Sequence, residues 1–298
     1  MKLTTDQWRG HLAMLLFSAL VAGSFSLGHI VANEIAPAAI NAVRFVLAGI
    51  VMGLFVMAGP GFKREHFASP WRYLVLGGLF GLYFVLMFEG LKTAKPISAA
   101  AVFTLMPMMA AGFGWLLLRQ ITTKRMALAL TIAAFGALWV IFKGDLAALY
   151  RLDVGRGEVI YFIGCISHAI YTPMVRKLNR GESAVTFSFG VLVAGSILLV
   201  VVGARDLLAT NWSDLPWIVW ATLGYLVIFS TASSFVLLQY ATLRLPSAKV
   251  MAYSYLTPSW VILIEAMIGN GLPGAIVLAG VAATIIALFL LLKDEAPS

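Results

Sequence analysis

The sequence predicts an all-α polytopic membrane protein, with ten transmembrane helices arranged as two inverted five-helix repeats, on three observations. Of 298 residues, 61% are apolar and 11% charged, against about 25% charged in an ordinary soluble domain. Ten segments run almost free of charge, each close to the ~20 residues that cross a hydrocarbon core as a helix. The chain after its most polar connection repeats, in order, features of the chain before it. The composition excludes a soluble globular enzyme, and the segments lack the period-2 alternation of a membrane barrel.

The ten spans are read at residues 11–31, 37–58, 73–91, 97–118, 126–142, 158–175, 185–204, 216–239, 247–268 and 273–292. At ~20 residues each they fill roughly 200 positions, which leaves short loops and no soluble domain of useful size. Lys2 and Arg9 precede the first span as in a signal peptide. The apolar run is longer than the usual leader core and has a partner in the second half, so it reads as a retained span. The single cysteine, Cys165, falls in span six and excludes an intrachain disulfide.

With the N-terminus placed in the cytoplasm, thirteen Lys and Arg fall on inner segments and six on outer ones, with Arg44 and Lys249 inside spans. The positive-inside rule then puts both termini in the cytoplasm. Three of the six outer cations lie in the connection 143–157, where Asp145, Asp153 and Glu158 offset them. The net charge of +8 is therefore a topology signal, and nucleic acid is not an expected partner.

The stretch 144–157 (GDLAALYRLDVGRG) divides the spans five and five, giving repeats at 1–147 and 148–298. An offset of 151 sets Pro107 on Pro258, an offset of 146 sets VLAG at 46–49 on LVAG at 192–195, and an offset of 150 sets Pro96 on Pro246. Three similar offsets in the right order indicate duplication. Five is odd, so the two units enter the membrane from opposite sides, a recurring plan of secondary transporters with the substrate site between the halves.

Ten spans, Pro37 followed by Arg44 in span two (PAAINAVRFVLAG), and Pro107 and Pro258 inside spans four and nine together resemble the EamA-type branch of the drug/metabolite transporter superfamily. The resemblance covers nearly the whole chain as two tandem units. It implies a multi-pass transporter of the bacterial inner membrane that exports or exchanges small metabolites, amino acids among them. Two positions depart from the family pattern. The Gly-Glu often found after spans four and nine is Arg119-Gln120 and Asn270-Gly271 here, and Gly190 stands where the second half would repeat Arg44.

An ionisable group in the hydrocarbon zone costs about 2.5–3.5 kcal/mol on insertion scales, so each one invites a functional reading. His168 lies near the middle of span six with Tyr171 and Thr172 at i+3 and i+4, on one helix face. It is a candidate for binding a carboxylate substrate or carrying a proton; the alternative is a neutral histidine satisfied by a neighbouring carbonyl. Glu89 and Glu265 sit near the outer ends of spans three and nine and, with His168, are the proton-coupling candidates. Against this, Lys92 at i+3 offers Glu89 an ion pair. Arg44, three residues after Asn41, is a candidate for an anionic substrate group, the alternative being an arginine that reaches the outer interface or ties helix ends together.

Tyr83, Ser233, Ser234, Gln239, Tyr253, Ser254 and Trp260 complete the lining candidates, with Tyr253 and Trp260 on one face two turns apart. Together they suggest a mixed aromatic and hydroxyl cavity suited to a small amphipathic solute. Pro107 and Pro258 each remove a backbone hydrogen bond well inside a span and are the hinge candidates. Ser98 and the alanines after it, and Gly77, Gly78 and Gly81, allow close helix approach.

The leading reading is a secondary transporter of small-molecule solutes working by alternating access, with membrane lipid as its other partner. No GxxxxGK[ST] loop is present, so an ATP-driven mechanism within the chain is not expected. The alternative is an integral membrane enzyme acting on a lipid or prenyl substrate. Such enzymes cluster Asp, His or Glu at a membrane face, whereas His11, His29, His66 and His168 are scattered. No cofactor, metal or oligomeric state is assigned.

Overall fold

The computed structural model describes residues 5–59, 61, 63–121, 123–151 and 154–292; Lys2, Asp153 and Lys293 of the charge pattern lie outside them. The first repeat contains α1 (Thr5–Val31), α2 (Pro37–Ala58), α3 (Trp71–Leu91), α4 (Pro96–Phe103), α5 (Met106–Leu118) and α6 (Lys124–Ile141). The short helix α7 (Leu146–Arg151) straddles the 147/148 division. The second contains α8 (Arg156–Leu178), α9 (Ala184–Val202), α10 (Ala204–Ala209), α11 (Trp217–Val227), α12 (Ser234–Thr242), α13 (Ser247–Ala252), α14 (Thr257–Met267) and α15 (Ala275–Leu292). Among the described residues there is no strand.

Local chemistry sets the helix starts. Pro37 and Pro96 open α2 and α4, where the missing N–H is no loss. Thr123 and Ser183 cap α6 and α9 by accepting from the backbone N–H of Met126 and Thr186. Nine helical runs among the described residues are long and apolar enough to cross a membrane, counting α4–α5 and α11–α12 as one each. The segment 247–268, read from sequence as a single span, is instead broken into α13, a 3₁₀ turn at Tyr253–Leu256 and α14. Its counterpart is broken at the same place: α4 ends at Phe103, and Pro107 is the second residue of α5, as Pro258 is the second residue of α14. A proline that cannot donate to the preceding turn accounts for both interruptions. Leu54, Phe55, Phe135, Ile286 and Phe289 are exposed on the outer surface, the belt a lipid-embedded bundle presents. The chain is a multi-pass membrane protein.

The packing has an internal two-fold pattern. Helix α3 packs on α8 as α12 packs on α1; α5 packs on α8 as α14 packs on α1; α5 meets α13 as α14 meets α4. Helix α2 lies against its own counterpart α9, and α6 against α15. The α6–α15 crossing is tight enough to require glycine. A Cβ on Gly136 would stand 2.7 Å from the Gly280 carbonyl oxygen, and one on Gly280 2.8 Å from that of Gly136. We call the face at which α1 begins the N-face and the opposite one the far face.

Candidate functional site

Arg44 of α2 is fully buried and reaches from the first repeat into the second. Its Nε donates to Thr231 Oγ1 (2.5 Å), Nη2 to the Ser230 carbonyl (3.0 Å) and Ser230 Oγ (3.2 Å), and Nη1 to Asn41 Oδ1 (3.4 Å). The guanidinium carbon lies 3.7 Å from the centroid of Phe84, a cation–π contact that strengthens when desolvated. Asn41 is fixed by donating to the carbonyls of Pro37 (2.9 Å) and Phe84 (3.3 Å). The arginine thus lies away from the surface and ties α2 to the turn between α11 and α12. Among the described residues no carboxylate pairs with it; the buried ion pair elsewhere joins Arg72 and Glu182.

The receiving side is a π-helical turn, Ile228–Ser233, set between α11 and α12. A π turn widens the helix and redirects its carbonyls, and such turns recur at functional sites. Here Ser230 offers both its carbonyl and its hydroxyl to Arg44, while Ser24 of α1 bonds the same hydroxyl and Ser234 donates to the same carbonyl (2.8 Å). Ser233 closes the turn by donating to the Ile228 carbonyl. Three helices therefore meet at one guanidinium.

Phe84 links this polar knot to an aromatic cluster. Phe80 stands edge-on to Phe84 at 4.9 Å between centroids and edge-on to His168 at 4.8 Å, and it lies 4.5 Å from Tyr171. Tyr83 is 4.6 Å from the His168 ring and bonds Tyr161 through the hydroxyls (3.0 Å). Phe103, at the break between α4 and α5, stacks on His168 at 6.1 Å. His168 is buried, and neither ring nitrogen has a hydrogen-bond partner among the described residues. The expected carbonyl is not supplied. Leaving a buried polar group unpaired costs about 1–3 kcal/mol, which makes His168 a group waiting for a partner. Tyr171 instead accepts from Gln239 Nε2 (2.9 Å), the Gln239 Oε1 has no partner among the described residues, and Thr172 donates back to the His168 carbonyl (3.1 Å).

The fold thus brings Asn41, Arg44, Tyr83, His168, Tyr171 and Gln239 into one connected set. Tyr253 and Trp260 belong to a different seam: they share a face, as their spacing implies, and it is turned to α1, where Tyr253 bonds His11 (3.0 Å) and Trp260 bonds Ser18 (3.1 Å). Ser254 lies at the interruption of the ninth span, with Ser247, Tyr255 and Thr257, all carrying buried hydroxyls without partners among the described residues. Glu89 pairs with Lys92 (2.7 Å) near the surface. Glu265 is 7% exposed and accepts from Asn270 Nδ2 (2.7 Å) through Oε2, while Oε1 is buried and has no partner among the described residues.

Further features were not singled out by sequence. Thr231 and Ser230 give Arg44 its acceptors; the run STASS at 230–234, polar inside an apolar span, is the signal that marks them. On the N-face, Arg72 donates to Glu182 Oε1 (2.7 Å) and to the Leu178 carbonyl (2.6 Å), fastening α3 to the α8–α9 loop. Burial pushes the Glu182 carboxyl up, but the Arg72 guanidinium and the Arg180 backbone N–H outweigh it and hold the group below the usual carboxylate range. A far-face cavity of about 560 Å³ is lined by His29, Lys95, Ser98, Lys143, Glu265 and Asn270 among others. Two cavities of about 260 and 480 Å³ run along α9 and are mostly apolar.

The sequence profile of the EamA-like transporter family matches this chain twice, at residues 8–142 and 155–293. The uncharacterized transporter YyaM of Bacillus subtilis (strain 168) is 25% identical over 263 residues, which cover 87% of this chain and 86% of YyaM. The S-adenosylmethionine/S-adenosylhomocysteine transporter of Chlamydia muridarum (strain MoPn / Nigg) is 27% identical over 226 residues, 70% of this chain and 68% of that one. A protein crystal structure shares the fold with a TM-score of 0.71 at 19% identity, over 97% of both chains.

Proposed function

The chain belongs to the EamA-like transporter family, and on that premise we propose that it is a secondary carrier, an exporter or exchanger, of small amino-acid-type metabolites. It works by alternating access across the bacterial inner membrane with both termini in the cytoplasm, its repeats being 1–147 and 148–298. The observation that carries this reading is Arg44: a buried guanidinium held between the repeats, among the described residues, by neutral acceptors. A charge so placed is a site for an anion, and a carboxylate matches the guanidinium fork.

The rest of the site supplies the second half of the recognition. Aromatic faces of Phe80, Tyr83 and Tyr171 surround His168, whose ring has one donor and one acceptor to offer a solute in its neutral form. Arg44 and His168, on either side of Phe84, match a solute with a carboxylate at one end and a flat or apolar group at the other, which the packed cluster must open to admit. The substrates named for the Chlamydia relative pair an amino-acid carboxylate with a purine and have both features. Gln239 and Thr172 extend the set toward the N-face; Tyr253, Ser254 and Trp260 line the broken ninth span. Pro107 and Pro258 act as its hinges, and Glu265 and His168 are the groups through which a proton would be coupled.

The test is counterflow in proteoliposomes loaded with a panel of amino acids, S-adenosylmethionine and S-adenosylhomocysteine, with trace labelled solute outside. Saturable exchange of a panel member, lost in His168→Ala with the protein still monodisperse, supports the proposal. Exchange that survives His168→Ala unchanged moves the site elsewhere. Absence of counterflow together with turnover of a lipid or prenyl substrate replaces the carrier with a membrane enzyme.

A further inference from the structure

The far-face cavity has a counterpart on the N-face. The repeat offsets of 150 and 151 carry Pro96, Ser98, Gly271, Leu272 and Val277 of the far-face cavity onto Pro246, Ala248, Gln120, Ile121 and Met126. Those five, with Ala111, line a small N-face void. The two differ in state: the far-face space measures about 560 Å³ and the N-face one about 20 Å³.

What closes the N-face is visible. Gln120 Oε1 accepts the backbone N–H of Ser247 (3.1 Å), the first residue of α13. A first-turn amide has no acceptor within its own helix, so this bond joins the segment just past α5 of one repeat to α13 of the other where the chain otherwise leaves a donor free. The same oxygen stands 2.7 Å from where a Cβ on Gly114 would be. The offset of 151 places Glu265 at the position of Gly114, and the offset of 150 places Ile97 at that of Ser247. By that correspondence the Glu265 side chain starts beside the place that matches the Gln120 oxygen on the N-face. Glu265 lines the open cavity with one oxygen buried and without a partner among the described residues, and the first turn of α4, containing Ile97, lines the same cavity.

We infer that Gln120 and Glu265 are the two latches of one gate at the corner formed by α4, α5, α6, α13, α14 and α15. The N-face is shut in this structure by Gln120 on the Ser247 amide. The far face shuts in the alternate state by Glu265 Oε1 accepting the Ile97 amide. This rests on the carrier reading for its purpose, but its test needs no solute.

The test uses single-cysteine variants in a Cys165→Ala background: Ile97→Cys reports the far-face cavity and Ala248→Cys its N-face mate. Purified protein is labelled in micelles with a charged methanethiosulfonate, which reaches both faces, and the ratio of the two labelling rates is read. In the parent, Ile97→Cys reacts faster. Gln120→Ala removes one interhelical hydrogen bond and shifts the ratio about fivefold toward Ala248→Cys. Gln120→Glu keeps the acceptor and leaves the ratio near the parent. Glu265→Ala shifts it in the opposite direction to Gln120→Ala. General loosening of the fold would raise both rates together, so opposed shifts separate gating from damage. Ratios unchanged in both alanine variants, or shifted the same way, overturn the inference. Counterflow failing while these shifts appear would overturn the carrier reading and leave the latches standing.

Discussion

Arg44→Met removes the guanidinium and keeps a flexible apolar chain of similar reach beside Phe84. Ser230 retains its bonds to Ser24 and Ser234 after Arg44 is gone, while the buried Thr231 Oγ1 and Asn41 Oδ1 lose their donor, so the variant is first checked for monodisperse protein. What disappears is the charge-assisted grip on a solute carboxylate. Hydrogen bonds to charged groups contribute about 1.5–3 kcal/mol, so losing about 2–3 kcal/mol weakens the apparent affinity for the acid about 30- to 150-fold. The carboxamide of the same solute never made that bond and changes by less than about threefold. Arg44→Lys keeps the charge without the planar fork and loses about tenfold for the acid. The assay is half-saturation of counterflow for acid and amide in the three proteins. An acid preference that survives in Arg44→Met, or an equal loss for acid and amide, refutes the assignment of the anion site.

Three other outcomes follow from the geometry. Glu182→Ala breaks the buried pair with Arg72, a loss of about 3–5 kcal/mol when one partner is removed, read as a lower unfolding midpoint in detergent. Because the folded Glu182 carboxyl is held below its ordinary range, its stabilisation is complete above that range and drains as pH falls through the lowered value. An acid titration of stability in the wild type therefore shows a loss that Glu182→Gln lacks. Arg119 ends α5 with φ of 57°, a left-handed conformation, so Arg119→Gly gains about 1 kcal/mol; no rise in the midpoint contradicts the strain. Gly136→Leu forces α6 off α15 and costs about 3 kcal/mol or more, seen as loss of monodisperse protein, whereas Gly112→Leu, with open space around it, has no such effect.

The spans were legible because lipid imposes a length and a composition on any helix that crosses it, and both are written locally. So were the helix breaks, since Pro107 and Pro258 mark them directly. The π turn was not: the polar run at 230–234 marks the place inside the eighth span but says nothing of the widening at Ile228–Ser233. The partners of Arg44 were hidden for a related reason. Thr231 lies 187 residues away, and no sequence pattern reports that distance. Helical spacing correctly put Tyr253 and Trp260 on one face, but spacing does not say that the face meets α1. The departures from the family pattern became informative only with coordinates. Arg119 occupies a left-handed position where glycine is the unstrained choice, and Gln120 retains the acceptor oxygen that a glutamate there would supply.

The central claim is that solute crosses by a carrier cycle between the repeats, and trans-stimulation measures it most directly. Vesicles holding saturating unlabelled solute are compared with empty ones for the initial uptake of the same labelled solute, in the wild type and in Arg44→Met. The account predicts faster uptake into loaded vesicles in the wild type, and loss of that difference in the variant at the same solute concentration. Uptake that rises linearly with concentration and ignores the trans solute would contradict it and show a passive pore instead.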